Sequence, residues 1–196
     1  MIRRLLDIIV SAAALAILGL PLGVLCILIR LESPGSPIYR QRRVGKDGKE
    51  FDVLKLRTMV DGAEHIGAGI FIDENDSRIT RLGWRMREWS IDELPQLVNV
   101  LRGDMSLIGP RPTIPAQVAE YTERQRGRLA VRPGLTGWAQ VSGRASIPWA
   151  ERIELDLWYL EHRSLRLDLK ILWRSIQVVV RREHTYHTGD SREWPV

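Results

Sequence analysis

IIVSAAALAILGLPLGVLCILI, residues 8–29, is a run of 22 residues without a charge. As a straight helix it would be about 33 Å long, enough to cross the hydrocarbon of a bilayer. It is long for the apolar segment of a cleaved signal peptide, and the RLESPGSP that follows it offers no convincing small-residue cleavage site. Pro21 lies inside the run. Its missing N–H deletes the bond to the Ile17 carbonyl, which predicts a kink or break near the middle. Basic residues flank both sides, Arg3 and Arg4 before, Arg30, Arg40, Arg42 and Arg43 after. The positive-inside rule therefore assigns no orientation to a crossing, whereas both ends on the cytoplasmic face would satisfy every charge. The reading that follows is a re-entrant helical hairpin over residues 1–32, broken at Pro21, that enters one leaflet and returns. A kinked single-pass helix is the rival, since proline is tolerated in spanning helices.

The rest of the chain sets this element on a globular body. With 196 residues and 44% hydrophobic residues it is long enough for one domain with a real core. A net charge of +5 and a pI near 9.8 favour anionic partners: nucleic acid, phospholipid headgroups or phosphorylated substrates. The single cysteine, Cys26, excludes an internal disulfide. Ser33 to Pro37 is a turn cluster. Ile38 to Arg42 and Lys49 to Leu56, around Asp47-Gly48, read as a β-hairpin. Strand alternation then puts Lys55 and Arg57 on one face, as solvated charges or as a cation pair. Residues 61–75 lack a period and read as a loop with a helical turn. Residues 78–87 read as a helix, and Pro115 to Leu129 as a polar, solvated helical face. Two helices are expected between Trp149 and Arg182. Ile153, Leu157 and Leu160 stripe the first, and Leu169, Leu172, Ile176 and Val179 the second. Arg and Lys beside Trp and Tyr on these helices suit a membrane interface, with core packing as the equal alternative. The expected fold is α/β, mostly helical with a short β-hairpin, a catalytic or binding domain over residues 33–183 and a weakly structured tail over 184–196.

Ser90-Ile91-Asp92-Glu93-Leu94-Pro95-Gln96-Leu97 carries two adjacent carboxylates at the mouth of an apolar helix. Ser90 and Glu93 have capping-box spacing, but a cap at Ser90 would put Pro95 where its missing N–H removes a helical bond. A cap at Asp92 places Pro95 inside the first turn and leaves the carboxylate where the helix dipole favours anions and phosphates. A structural cap and a chemical site are both open on these residues alone. Gly103 is a usual helix stop. Beyond it Pro110 and Pro112 bracket Arg111, so its guanidinium is presented on stiff backbone, as suits bidentate phosphate binding. Val131 to Arg144 is a glycine-punctuated loop without the Walker or dinucleotide fingerprint. Its glycines suit either close approach to a ligand or turn dihedrals.

Four stretches, RLLDIIVSAAALAILGLP from Arg4, YRQRRVGKDGKEFDVLKLRTM from Tyr39, SIDELPQLVNVLRGDMSLIGPRP from Ser90 and VRPGLTGWAQVSGR from Val131, occur in this order. Together they resemble the bacterial sugar transferases, the monotopic phosphoglycosyl transferases, over nearly all of the chain up to Arg182. The chain resembles the minimal form, without the extra amino-terminal spanning region of larger relatives. The resemblance implies transfer of a sugar-1-phosphate from a UDP-sugar to a polyprenyl phosphate such as undecaprenyl phosphate, with release of UMP, at the cytoplasmic face of a bacterial inner membrane. It implies that Asp92 is the nucleophile, forms a covalent phosphosugar intermediate and helps hold Mg2+, and that Glu93 assists. The family's phosphate-facing cations match Lys55, Arg87, Arg111 and Arg144. Membrane phospholipids are expected partners and nucleic acid is not; a homo-oligomer is compatible with the sequence. Many relatives have Ser-Pro at the helix break where this chain has Leu20-Pro21. The rival function is a membrane-anchored, non-catalytic protein that binds anionic lipid or nucleic acid and uses Asp92 and Glu93 only as a cap.

Overall fold

The computed structural model describes residues 2–66, 76–143 and 147–181. The chain opens with α1 (Ile2–Glu32), a β-hairpin of β1 (Ile38–Val44) and β2 (Glu50–Leu56), and α2 (Arg81–Glu88). A 3-10 turn at Ile91–Glu93 leads into α3 (Gln96–Arg102) and β3 (Ser106–Ile108). Then come α4 (Pro115–Ala119), α5 (Glu123–Arg126), β4 (Gly134–Thr136), α6 (Trp138–Ser142), α7 (Trp149–Glu161) and α8 (Leu165–Val180). The fold is mostly helical with the expected antiparallel hairpin, in which Tyr39 faces Lys55 and Arg43 faces Phe51. A second pairing has no signal in the sequence: β3 and β4 run parallel, Ser106 opposite Gly134 and Ile108 opposite Thr136. The tail beyond residue 181 and most of the expected loop, residues 67–75, lie outside the described residues; residues 63–65 form its 3-10 turn.

The break expected at Pro21 is absent, because α1 is one helix of 31 residues that runs through the proline. The physical reason lies in what holds its two halves. Ala14 and Leu15 pack on the cluster of Leu97, Val100 and Met105, and Leu22, Leu25, Cys26 and Ile29 pack on Leu56 and Met86. Packing on either side of Pro21 carries the helix across one lost backbone bond. Both ends are tied to the same body. At the start, Arg3 Nε donates to Asp168 Oδ2 (2.6 Å) and Arg4 to the Leu101 carbonyl (2.8 Å), one of the carbonyls that end α3. Buried Asp7 accepts from Ser106 Oγ (2.9 Å) and the Leu107 N–H (3.0 Å). At the other end Arg57 donates to the carbonyls of Ser33 (2.7 Å) and Ile29 (3.4 Å) and to that of Pro34. Arg57 is thus a buried cap on the end of α1, and the expected surface pair of Lys55 and Arg57 does not exist. β2 ends at Leu56, so strand alternation no longer governs Arg57.

Packing decides three other expectations. The segment from Pro115 to Leu129 is not simply solvated: Val118 and Tyr121 are buried with Ile153 and Leu157 of α7, and buried Arg128 donates to Asp156 of the same helix. The stripe on α8, open to a membrane interface or to core packing, divides: Leu172 packs on the core while Leu169, 67% exposed, and Ile176 face outward, and the helix is seated by Asp168, Ile171 and Val178. Gly134 and Gly137 of the 131–144 stretch serve chain-to-chain contact, and Gly143 supplies a positive φ of 154° at the end of α6. A Cβ on Gly134 would meet the Gly109 nitrogen at 2.1 Å, and one on Gly137 the Gly109 carbonyl oxygen at 2.1 Å.

Candidate active site

The site forms where the hairpin, α2 and the turn before α3 converge. Thr80 caps α2, accepting from the Gly83 N–H (3.0 Å). Gly83 lets that helix close on Thr58, whose carbonyl oxygen a Cβ would meet at 2.0 Å. One turn later on the same helix, Arg87 Nε donates to Thr58 Oγ1 (2.8 Å). Ser90 then takes a left-handed conformation, φ 54°, rare for a residue with a side chain, and makes no capping bond with it. The chain enters α3 through the 3-10 turn and Pro95, and neither Ser90 nor Asp92 caps it by a side-chain bond. The capping reading of both residues is therefore set aside.

The two carboxylates freed from capping have opposite surroundings. Glu93 Oε1 accepts from Lys55 Nζ (3.0 Å) and from Arg111 Nη2 (2.8 Å). Burial would raise its carboxyl, but the cations Arg111 and Lys55 together outweigh burial and hold it well below the usual carboxylate range. Asp92 is 9% exposed and makes no hydrogen bond among the described residues. Burial pushes its carboxyl up to about 6 against the pull of Lys55, with the Glu93 charge adding to the rise. Successive residues of a 3-10 turn point about 120° apart, so the pair does not act on one bond from two sides. One acid is pinned and ionised; its neighbour is largely buried and unengaged.

Of the cations expected here, Lys55 and Arg111 meet at Glu93, and both, with Arg87, act on the Asp92 charge. Arg144 lies outside the described residues. Two further arginines were not anticipated. Arg43, on the same hairpin face as Lys55, donates to Gln41 Oε1 and to the Pro112 carbonyl (3.2 Å). Period-two alternation along Tyr39, Gln41 and Arg43 carried that signal. Arg128 donates to the Arg111 carbonyl (3.2 Å), to Asp156 Oδ2 (2.5 Å) and to the Tyr121 hydroxyl. It fixes the backbone beneath Arg111, as does the bond from Val44 N–H to the Thr113 carbonyl (2.8 Å). No local pattern marks Arg128, since its partners come from distant segments.

No group of three or more His, Cys, Asp or Glu residues forms a metal cage among the described residues. The Asp92 carboxylate is nevertheless of the type that Mg2+ uses, because that ion commonly takes one or two protein carboxylates and completes its shell with substrate phosphate and water.

Comparison with known proteins fits this geometry. The family model for bacterial sugar transferases matches residues 1–182. A UDP-glucose:undecaprenyl-phosphate glucose-1-phosphate transferase of Caulobacter vibrioides is 45% identical, over 94% of this chain and 72% of its own length. The uncharacterised sugar transferase EpsL of Bacillus subtilis is 41% identical, over 96% of this chain and 92% of its own. A UDP-galactose-lipid carrier transferase of Erwinia amylovora is 40% identical over 94% of this chain, which spans only 42% of that longer protein. A match from α1 through α8, with Asp92, Glu93, Lys55 and Arg111 drawn into one cluster, places the chain in the bacterial sugar transferase family.

Proposed function

We propose that this protein moves a sugar-1-phosphate from a UDP-sugar to undecaprenyl phosphate, releases UMP, and so begins a lipid-linked glycan. The names of the relatives support the substrates. The observation that carries the mechanism is the contrast between the two acids: Glu93 bound by two cations, Asp92 buried with no hydrogen bond among the described residues. A nucleophile must be unengaged, and water must be kept from the intermediate it forms.

In this reading an Asp92 oxygen attacks the sugar-bearing phosphorus. A P–Oδ bond forms, the bond to the bridging oxygen breaks, and UMP leaves with the electron pair. A phosphate oxygen of the lipid then attacks the same phosphorus, and the Asp92 carboxylate departs unchanged. Lys55, Arg87 and Arg111 stabilise charge on the phosphoryl oxygens in both steps. Glu93 keeps Lys55 and Arg111 in place by two charge-assisted bonds. Mg2+, held by Asp92 and the diphosphate, would neutralise phosphate charge and polarise the bond to the leaving group.

The membrane part of the proposal is a monotopic arrangement at the cytoplasmic face. The outward side of α1 is apolar, with Ile17 75% and Leu20 82% exposed, and α8 adds Leu169, Trp173 and Ile176. Both ends of α1 dock on one body, so the helix is read as entering the bilayer from one side without crossing it. This keeps the site at the height of a lipid phosphate.

The test is UMP release from a panel of UDP-sugars with Mg2+ and undecaprenyl phosphate, for the wild type and Asp92→Asn. Turnover by the wild type alone, together with a sugar-phosphate adduct on the Asp92 peptide in the absence of lipid, is the expected result. Equal turnover in both proteins removes Asp92 as the nucleophile.

A further inference from the structure

Arg43 is a half-buried cation without an ion pair among the described residues. Its Nε (3.1 Å) and Nη2 (2.5 Å) both donate to the amide oxygen of Gln41, and its Nη1 donates to the Pro112 carbonyl (3.2 Å). These acceptors are neutral, and among the described residues Arg43 forms no ion pair, unlike Arg42 beside it, which reaches Glu50 and Asp52. The acid nearest in charge, Glu93, already holds Lys55 and Arg111 on one oxygen. The charge environment of Arg43 is instead dominated by a second guanidinium, Arg111, two residues from the Thr113 that bridges to Val44. Burial and that like charge together push the Arg43 guanidinium down to about 10.

Burying a cation beside another cation costs stability unless an anion completes the arrangement. The three bonds to Gln41 and Pro112 fix the plane of the guanidinium and leave two of its five N–H groups unspent. A fixed fork with free donors, beside the Arg111 that faces Asp92 and Glu93, suits a phosphoryl oxygen. Charge balance agrees. Lys55, Arg111 and Arg43 all act on the one Glu93 carboxylate, an excess of positive charge that a phosphoryl anion would offset. The geometry points to Arg43 as a further substrate-binding residue, whose counterion is a phosphoryl group of the incoming substrate. That the phosphate belongs to a sugar nucleotide or a lipid rests on the proposed function; that the site takes a phosphate does not.

The test uses the full chain in nanodiscs with inorganic pyrophosphate as probe, followed by calorimetry, for the wild type, Arg43→Met and Arg43→Lys. Arg43→Met is expected to bind pyrophosphate at least about tenfold more weakly while its melting temperature holds or rises, because a half-buried charge without an ion pair has been removed. Arg43→Lys is expected to recover part of the affinity. A rise in KM confined to the UDP-sugar assigns the phosphate to the donor, and a rise confined to undecaprenyl phosphate assigns it to the acceptor. Unchanged pyrophosphate binding in Arg43→Met overturns the inference. So does a lowered melting temperature that Arg43→Lys fails to restore, which would make Arg43 a tether for Gln41 and Pro112. Wild-type pyrophosphate binding that depends on Arg43, with no sugar-nucleotide turnover, would sink the transferase reading and leave this site standing.

Discussion

A largely buried carboxylate without a hydrogen bond is costly, and Asp92 bears that cost one residue from Glu93, which has two cationic partners. The pH dependence of each property follows with opposite sign. The folded state holds the Asp92 proton more tightly than the unfolded chain, with its carboxyl raised from 3.8 to about 6. The stabilising contribution is complete below the unfolded value and is lost as pH rises through the folded one. Asp92→Asn removes this loss. Its melting temperature should match the wild type near pH 4 and exceed it above pH 6.5, by about 1–3 kcal/mol of stability, as denaturant titrations at both pH values would show. Transfer needs the ionised acid, so the wild-type rate should climb with pH through about 6 and level off above about 7, while the Asn variant stays inactive throughout. A variant less stable than wild type at neutral pH would contradict the buried, unsatisfied state of Asp92. At this scale the acid pair was legible, because two adjacent carboxylates before an apolar helix are few in any chain. Arg111 was legible through its flanking prolines. Arg57, Arg43 and Arg128 were not, since an arginine's reach is several ångströms and its partner is chosen by the fold.

Elements were easier to read than their neighbours. The hairpin and α3 follow from alternation and from Gly103, whose φ of 95° suits a residue without a side chain. The parallel pair of β3 and β4 has only three residues in each strand and no period to detect. What marks it is packing. Gly109, Gly134 and Gly137 bring backbone against backbone, so Gly134 and Gly137, which sequence alone offers as ligand or turn residues, serve instead to join the two strands. This contact places the Pro110–Pro112 turn, and with it Arg111, since the Gly134 N–H donates to the Pro110 carbonyl (2.8 Å). Gly134→Ala should therefore cost stability by about 1–3 kcal/mol and reduce transfer beyond what the lost folded fraction explains, because Arg111 shifts relative to Glu93. Thermal melts combined with rates normalised to active-site adduct would separate the two losses, and an unchanged rate per folded molecule would remove the link between this pair and the site. The α8 stripe stayed open between membrane interface and core for a related reason. Periodicity finds an apolar face but not what covers it, and here a buried Asp168, held by Arg3 and the Tyr159 hydroxyl, seats the helix while the apolar ridge points away.

For the whole molecule the decisive fact is that α1 belongs to the same packed body as the site. A helix of 31 residues is about 46 Å long, and its two ends are tied to α8 and to the segment after β2 by buried or half-buried polar contacts. If it crossed a bilayer, one of these ends would have to leave the domain. Arg3–Asp168 and Asp7–Ser106 would break on one side, or Arg57 would lose the Ser33 and Ile29 carbonyls on the other. Leaving a buried charge of this kind without its partner costs about 3–5 kcal/mol, and the apolar seats at Leu97 and Leu56 would be lost as well. The inward face of α1 matches this account, since Asp7, Ser11 and Ile29 are buried along one side while apolar residues cover the other. Cysteines at Ile2 and Arg40, placed singly in a Cys26→Ser background, should both be shielded from a membrane-impermeant maleimide in intact spheroplasts and both react in inverted vesicles. Labelling of one site from each side would mean that the contacts at one end of α1 are absent in the membrane, and the one-sided arrangement would fall with them.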